Sequence, residues 1–385
     1  MQDTFILGLQ TGIQDAAFRS TKDLYNLVGH NTGNLAFHYA INEQLGGFKE
    51  SVSWYAPQGE INAKTGIAVL PCANQLGVHA DYGSLADRFS QVDKKMVAIG
   101  LGAQASQDGD LPDIPEGTLR WVRGITEKAP TAAPNISVRG EFTLRALERY
   151  GLAQHAVVLG CPTLYINPNP FLGQAIAAKL NRFDRVAVAA GHQRWRSLSR
   201  LEQSLTRLVT ATGGAYIAQS PIEMVQVARG EAALLPDADR KECRDYMCPE
   251  LMDDEFIAWT RRYGRAFFDI PGWLEYLRGF DVVIGARIHG VMLGLQAGVP
   301  GLCIAHDSRI LELCETMCVP YVRAKDVQGG VSREQIGELI QFDPDAFDRN
   351  RQHLAARYVE FLRHNGIEPG SALVNIANAL KGGVD

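Results

Sequence analysis

Short β-branched apolar runs alternate along the chain with segments whose apolar positions recur at helical spacing. The first kind predicts strands over Phe5–Leu9, Ile67–Leu70, Met96–Leu101, Ile136–Arg139 and Ala156–Leu159. The second predicts helices over Asn34–Leu45, with Thr32 or Asn31 as N-cap, and over Gly83–Ser90, Thr118–Lys128 and Glu141–Arg149. In GCPTLYINPNPFLG neither period continues, and Pro162, Pro168 and Pro170 fall there, which reads as an interdomain linker.

The pattern then restarts. Strands are expected at Arg185–Ala190, Tyr216–Ala218, Ala266–Phe268, Val282–Ile284 and Leu302–Ala305. Helices are expected at Leu198–Ala211, Ile222–Ala228, Phe256–Tyr263, Trp273–Leu277 and Val291–Ala297, and in three pieces after about Ser332. Glu231–Asp254, mixed in charge and broken by proline, reads as an irregular surface insertion or a lid. Such alternation predicts an α/β fold of parallel sheets with helices on both faces. The expected division is residues 1–168, residues 169–340, and C-terminal helices over 341–385 that pack back on both domains.

At 385 residues the chain is long enough for two domains, at roughly 100–200 residues each. A net charge of −5 without a basic stripe argues against nucleic acid as a partner. The seven cysteines are odd in number and have no paired ligand spacing, so neither a disulfide framework nor a metal site is expected; Cys314 and Cys318 read as helix neighbours. The N-terminal apolar run spans only Phe5–Leu9 and has no basic flank, and no segment approaches the roughly 18 apolar residues of a membrane span. A cytoplasmic protein is expected.

Open parallel sheets bind ligands beyond the carboxyl ends of their strands. The richest such place is FDVVIGARIHGVMLGLQAGVPGLCIAHDSR, Phe280–Arg309. After the strand come Arg287, Ile288 and His289, and a helix is expected to open at Gly290, where its free N–H groups favour an anion. Arg287 adds a planar charged fork and His289 a group that ordinarily titrates near neutral pH, a pair suited to a phosphorylated acid. The plainer reading makes them a surface ion pair and a helix cap. Gly290 and Gly294 inside a helix imply that another element or a ligand comes close. Arg139, at the end of an earlier strand, would face the cleft from the other side or pair with Glu141 or Glu148. Asn31, Thr32 and Asn34 would cap the first helix or contact a sugar. Gly100 and Gly102 lack the third glycine of a dinucleotide fingerprint, and Gln104 beside them suits a loop hydrogen bond or a ligand. His306 and Asp307 offer an acid/base pair or, for Asp307, a helix cap.

Taken together, HNTGN, GLGAQ, SVRGE, GCP, ARIHG and AGVPGLCIAHDSR resemble the polysaccharide pyruvyl transferase family along most of the chain. The chain has Gly33-Asn34 where the family often has Gly-Asp, and Arg309 near a position where family members often carry Lys. The resemblance implies two Rossmann-like domains facing across a GT-B-like cleft, with the acceptor on the N-terminal side and phosphoenolpyruvate on the C-terminal side. It implies a transferase that forms a pyruvate ketal on a saccharide, releases phosphate and needs no nucleotide or metal cofactor. His289 and Arg287 would be catalytic; Arg139, Ile288, Gly290, Asn31, Thr32, Asn34, Gln104 and His306 would bind substrate. A lipid-linked acceptor would bring the protein to the periphery of the inner membrane, and a homo-oligomer is compatible with the sequence. The alternative is a GT-B glycosyltransferase using a nucleotide sugar, although Arg287–His306 contains none of the acidic residues such enzymes commonly use to hold a ribose. A non-catalytic carbohydrate-binding protein is a third reading, against which the scattered aromatics count.

Overall fold

The computed structural model describes residues 3–47, 49–104 and 110–380. Its two sheets are parallel and six-stranded. The first comprises β1 (Thr4–Leu7), β2 (Ser51–Val52), β3 (Ile67–Pro71), β4 (Met96–Leu101), β5 (Ile136–Val138) and β6 (Ala156–Val158), in the order β2-β1-β3-β4-β5-β6. The second comprises β7 (Val186–Ala189), β8 (Ala215–Ile217), β9 (Gly264–Arg265), β10 (Val282–Gly285), β11 (Gly301–Ala305) and β12 (Tyr321–Arg323), in the order β12-β11-β10-β7-β8-β9. Each is doubly wound. The chain direction across the sheet reverses between β1 and β3 in the first and between β7 and β10 in the second, and such switch points open a crevice at the strand ends. Two Rossmann-like sheets with their switch points facing one another give the GT-B-like α/β architecture.

The central strands are apolar on both faces, as strands covered on both sides must be: β3, β4, β7 and β10 are buried throughout. One core cluster joins the two halves, running from Ile6, Val69 and Val97 to Val283, Val291 and Leu354. Separate clusters cover the outer face of each sheet.

Several local expectations are corrected. The segment read as irregular, Glu231–Asp254, holds a helix over Asp237–Met247. Its apolar side is supplied by Cys243, Tyr246 and Met247, too few positions to stand out among the charges. The strand expected at Ala266–Phe268 is Gly264–Arg265, paired with β8 through Tyr216 and Ile217. Strands β2 and β12 and the helix Thr21–Leu27 carry no clear period in so few residues. The helix expected over Asn34–Leu45 spans Asn34–Gln44, and Gly33 stands at its N-cap without a side-chain bond; Asn31 instead accepts from the Gly33 N–H at 2.9 Å.

The stretch read as a linker is rigidly held. Pro162–Tyr165 form a buried 3-10 turn. The long helix Pro344–His364 packs on it and on the helix Leu172–Ala177, and the last helix, Ser371–Ala379, reaches the helix Asn34–Gln44. Gly370 donates to the Gln44 carbonyl and Gly46 to that of Glu368, both at 2.7 Å. The end of the chain therefore closes on its first half.

The two glycines of the helix Ile288–Gln296 are explained by neighbouring elements. A Cβ at Gly290 would lie 2.7 Å from Ala189 Cβ, and one at Gly294 2.5 Å from Val283 Cγ2. The helix lies so close to its own sheet that neither position has room for a methyl. Gly294→Ala should therefore destabilise the protein by about 1–3 kcal/mol through overpacking, despite its better helix propensity. Chemical denaturation would check this, and a neutral or stabilising result would contradict the packing argument.

Candidate active site

Both switch points open onto one cavity of about 80 Å³. Asn31 and Asn34 reach it from the segment after β1, Ala73 and Asn74 from that after β3, and Arg139 from the end of β5. From the second half come Trp195 after β7, Gln219 after β8, Arg287, Ile288 and His289 after β10, and His306 and Arg309 after β11.

Arg139 is 3 % exposed, and its partners are backbone carbonyls and not Glu141 or Glu148. Its Nε donates to the Gly100 carbonyl at 2.8 Å and its Nη2 to that of Cys72 at 3.3 Å. The Gly-x-Gly segment exists to hold this arginine. Gly100 takes φ +82°, and a Cβ on Gly102 would lie 2.9 Å from Arg139 Cδ. Gln104 does not line the cavity; its Oε1 accepts from Asn74 Nδ2 at 2.8 Å and so orients a residue that does.

Arg287 stands at the N-cap of the helix, which starts at Ile288 and not at Gly290. Its guanidinium lies 4.7 Å from the Trp195 ring centroid, its Nη2 donates to the Ser220 carbonyl at 3.2 Å, and its buried Nε has no protein partner. The surface-ion-pair reading is thus replaced by a cation stacked on an aromatic face. The Gly290 N–H donates to the Arg287 carbonyl at 3.0 Å and is not offered to a ligand. The earlier N–H groups, those of Ile288 and His289, are the ones an α-helix leaves unbonded.

Trp195 was not singled out by sequence, nor were Asn74 and Gln219. Each lies in the segment after a strand, which was the available signal. Trp195 also packs against His306, with ring centroids 4.2 Å apart and the planes tilted by 46°. Its loop is braced from behind by buried Glu202, which accepts from the Gly191 N–H at 2.9 Å and from the hydroxyls of Tyr216 at 2.5 Å and Tyr246 at 3.3 Å. Asp307 caps the helix Ser308–Met317 by accepting from the Ile310 N–H, and it also accepts from Arg309 Nη2 at 2.9 Å. His306 Nδ1 is buried without a partner. Thr32 lies behind the cavity; its N–H donates to the Gln219 carbonyl at 3.0 Å and ties the first half to the second.

His289 occupies the middle of this arrangement. Its ring lies 5.6 Å from that of Phe37, over which Arg139 stacks at 5.9 Å, and its Nε2 is 3.8 Å from Cys161 Sγ. Burial, reinforced by Arg139, Arg309 and Arg287, pushes its pKa down to about 3. This corrects the expectation of a group titrating near neutral pH: in the free protein the imidazole is neutral. His192 is similarly lowered to about 4, by burial and then by Arg287, and His306 is lowered by burial, with Arg309 and Arg287 adding to the effect. All three histidines are disfavoured as cations first by burial, and nearby arginines add to the effect. Arg287, lowered to about 10 mainly by burial, stays charged at neutral pH. Three guanidinium groups converge here and, among the described residues, Asp307 is the sole carboxylate bonded to any of them, a concentration of positive charge that favours an anion. The cavity's volume lies far below the roughly 300–1,000 Å³ of pockets for drug-sized ligands.

Among the described residues, no group of three or more His, Cys, Asp or Glu is placed to hold a metal ion, and no helix is long and apolar enough to cross a membrane. All seven cysteines are free thiols.

Residues 31–308 match the family model described as polysaccharide pyruvyl transferase. Comparison with curated protein sequences finds no significant relative. Among solved structures, UDP-N-acetylglucosamine 2-epimerase from Rickettsia bellii is similar with a TM-score of 0.46 at 11% identity, over 98% of each chain. TcCGT1 in complex with UDP is similar with a TM-score of 0.39 at 12% identity, over 98% of this chain and 92% of that one.

Proposed function

The chain belongs to the polysaccharide pyruvyl transferase family, and from that premise we propose that it transfers the pyruvyl group of phosphoenolpyruvate to two hydroxyls of a saccharide. The observation that carries this reading is the convergence of Arg139, Arg287 and Arg309 around His289 in a small cavity. Phosphoenolpyruvate brings a carboxylate and a phosphate on a three-carbon frame, and each can be gripped by a planar guanidinium fork.

The reaction adds a proton to the methylene carbon of phosphoenolpyruvate, leaving cationic character on the adjacent carbon. One acceptor hydroxyl attacks that carbon, the bond to the phosphate oxygen breaks, and a second hydroxyl closes the ketal. Of the two hydroxyl protons, one is balanced by the new methyl hydrogen and the other leaves with phosphate. The imidazole of His289, once it has taken up a proton, can deliver it to the methylene, and the neutral imidazole that results can accept a proton from an attacking hydroxyl. The arginines stabilise phosphate as its charge grows.

The direct test is phosphate release from phosphoenolpyruvate by the purified protein with a panel of glycosides. Release should depend on acceptor, and Arg287→Ala should lower it by about 100–1,000-fold, the usual cost of losing a preorganised charge partner. No release with any glycoside, together with tight binding of UDP or GDP, would replace this reading with the nucleotide-sugar glycosyltransferase.

A further inference from the structure

Glu312 lies on the helix Ser308–Met317 of the second half, three residues beyond Arg309, and is 7 % exposed. Its carboxylate crosses to the first half. Oε1 accepts from the Thr143 N–H at 2.7 Å and Oε2 from the Thr143 hydroxyl at 3.0 Å. Thr143 sits in the first turn of the helix Glu141–Glu148, which begins two residues after Arg139. The carboxylate therefore caps the positive end of a helix belonging to the opposite sheet.

The bond chain continues. The Thr143 hydroxyl, while donating to Glu312, accepts from the Ala103 N–H at 3.0 Å. Ala103 ends the glycine-rich segment whose Gly100 carbonyl binds Arg139. Gly140 allows the approach: a Cβ there would collide with Glu312 Cγ and lie 2.6 Å from Thr316 Oγ1. Arg139 is thus bracketed by two elements, and Glu312 locks both to the helix that carries Arg309.

We propose that Glu312 is a positioning residue: through Thr143 it fixes Arg139 of one half and Arg309 of the other at the spacing that makes them one anion site. This rests on the anion-site reading above but not on the identity of the transferred group. A different role for the same carboxylate, as a mere counter-charge, predicts the opposite effect. Removing a negative charge beside Arg139 would then tighten anion binding, with alanine and glutamine equivalent.

The experiment is calorimetric binding of inorganic phosphate and, separately, of phosphoenolpyruvate to wild type, Glu312→Ala, Glu312→Gln, Thr143→Val and the double variant Glu312→Ala/Thr143→Val, with circular dichroism confirming that each is folded. Glu312→Ala should weaken both anions about 10-fold or more, and Glu312→Gln, which keeps an oxygen for the Thr143 N–H, should recover most of the loss. The double variant should be hardly weaker than Glu312→Ala, because both changes break one clasp. Should Glu312→Ala prove unfolded, Thr143→Val and Glu312→Gln carry the test alone, the first weakening binding and the second largely preserving it. Unchanged or tighter binding in a folded Glu312→Ala or Thr143→Val, or no phosphate binding by wild type, overturns the proposal. Phosphate binding that depends on Glu312 without any binding of phosphoenolpyruvate would sustain the clasp and reject the proposed donor.

Discussion

His289→Gln should lower turnover by about 100-fold or more while leaving the protein folded, the usual worth of a general acid–base group. Glutamine keeps polarity and approximate size but cannot exchange a proton. The pH dependence carries a sharper signature. In the free protein the imidazole is held neutral, with its pKa near 3, by burial and by Arg139, Arg309 and Arg287. A ligand bearing two or three negative charges beside the same arginines offsets their potential, so its binding must raise the imidazole pKa. A group whose pKa rises on binding takes up a proton, and ligand affinity then grows as pH falls toward the raised value. Wild type should bind phosphoenolpyruvate with more proton uptake than His289→Gln, after both include the same contribution from the ligand's own phosphate. Calorimetry in buffers of different ionisation enthalpy measures this difference. Equal uptake in the two proteins, with turnover reduced less than about 10-fold, would remove His289 from proton transfer.

The architecture was legible because buried parallel strands leave a strong mark: β3, β4, β7, β10 and β11 stand out as apolar runs, and strand ends in such sheets are where sites lie. Arg139, Arg287 and His289 could be marked on that ground alone, and all line the cavity. Their surroundings were not legible. That Arg139 rests on carbonyls and not carboxylates depends on β4 lying beside β5, a pairing of segments about 40 residues apart. That His289 is neutral depends first on its burial and then on arginines from three separate strand ends. Glu312 reads in sequence as one more charge on a helix, since its partner is 169 residues away. Gly290 illustrates the opposite error: its position beside Arg287 suggested an anion site, whereas the glycine is required by Ala189 beneath it.

Arg351→Met should cost about 1–3 kcal/mol of stability, the range for leaving a buried acceptor unsatisfied. Arg351 is 0 % exposed. Its Nε donates to the Leu164 carbonyl at 2.8 Å, its Nη1 to that of Asn169 at 2.6 Å, and its Nη2 to that of Asn167. One guanidinium of the helix Pro344–His364 therefore satisfies three carbonyls of the proline-rich stretch between the sheets. Apart from the 3-10 turn Pro162–Tyr165, that stretch has neither helix nor ladder to satisfy its own backbone. Asp348, one residue short of a helical turn earlier, accepts from the Gly173 N–H at 2.6 Å and holds the start of the next helix. Methionine fills much of the space but donates nothing, so the buried Leu164 carbonyl and the partly buried ones of Asn167 and Asn169 would lose their donor. The loss would be felt at the active site as well, because the same stretch begins with Cys161, whose thiol lies against His289. Urea denaturation should show the drop in stability, and a folded Arg351→Met sample should also lose turnover out of proportion to its unfolded fraction. A shift below about 1 kcal/mol would mean that the crossover is held by its apolar contacts alone, with the arginine incidental.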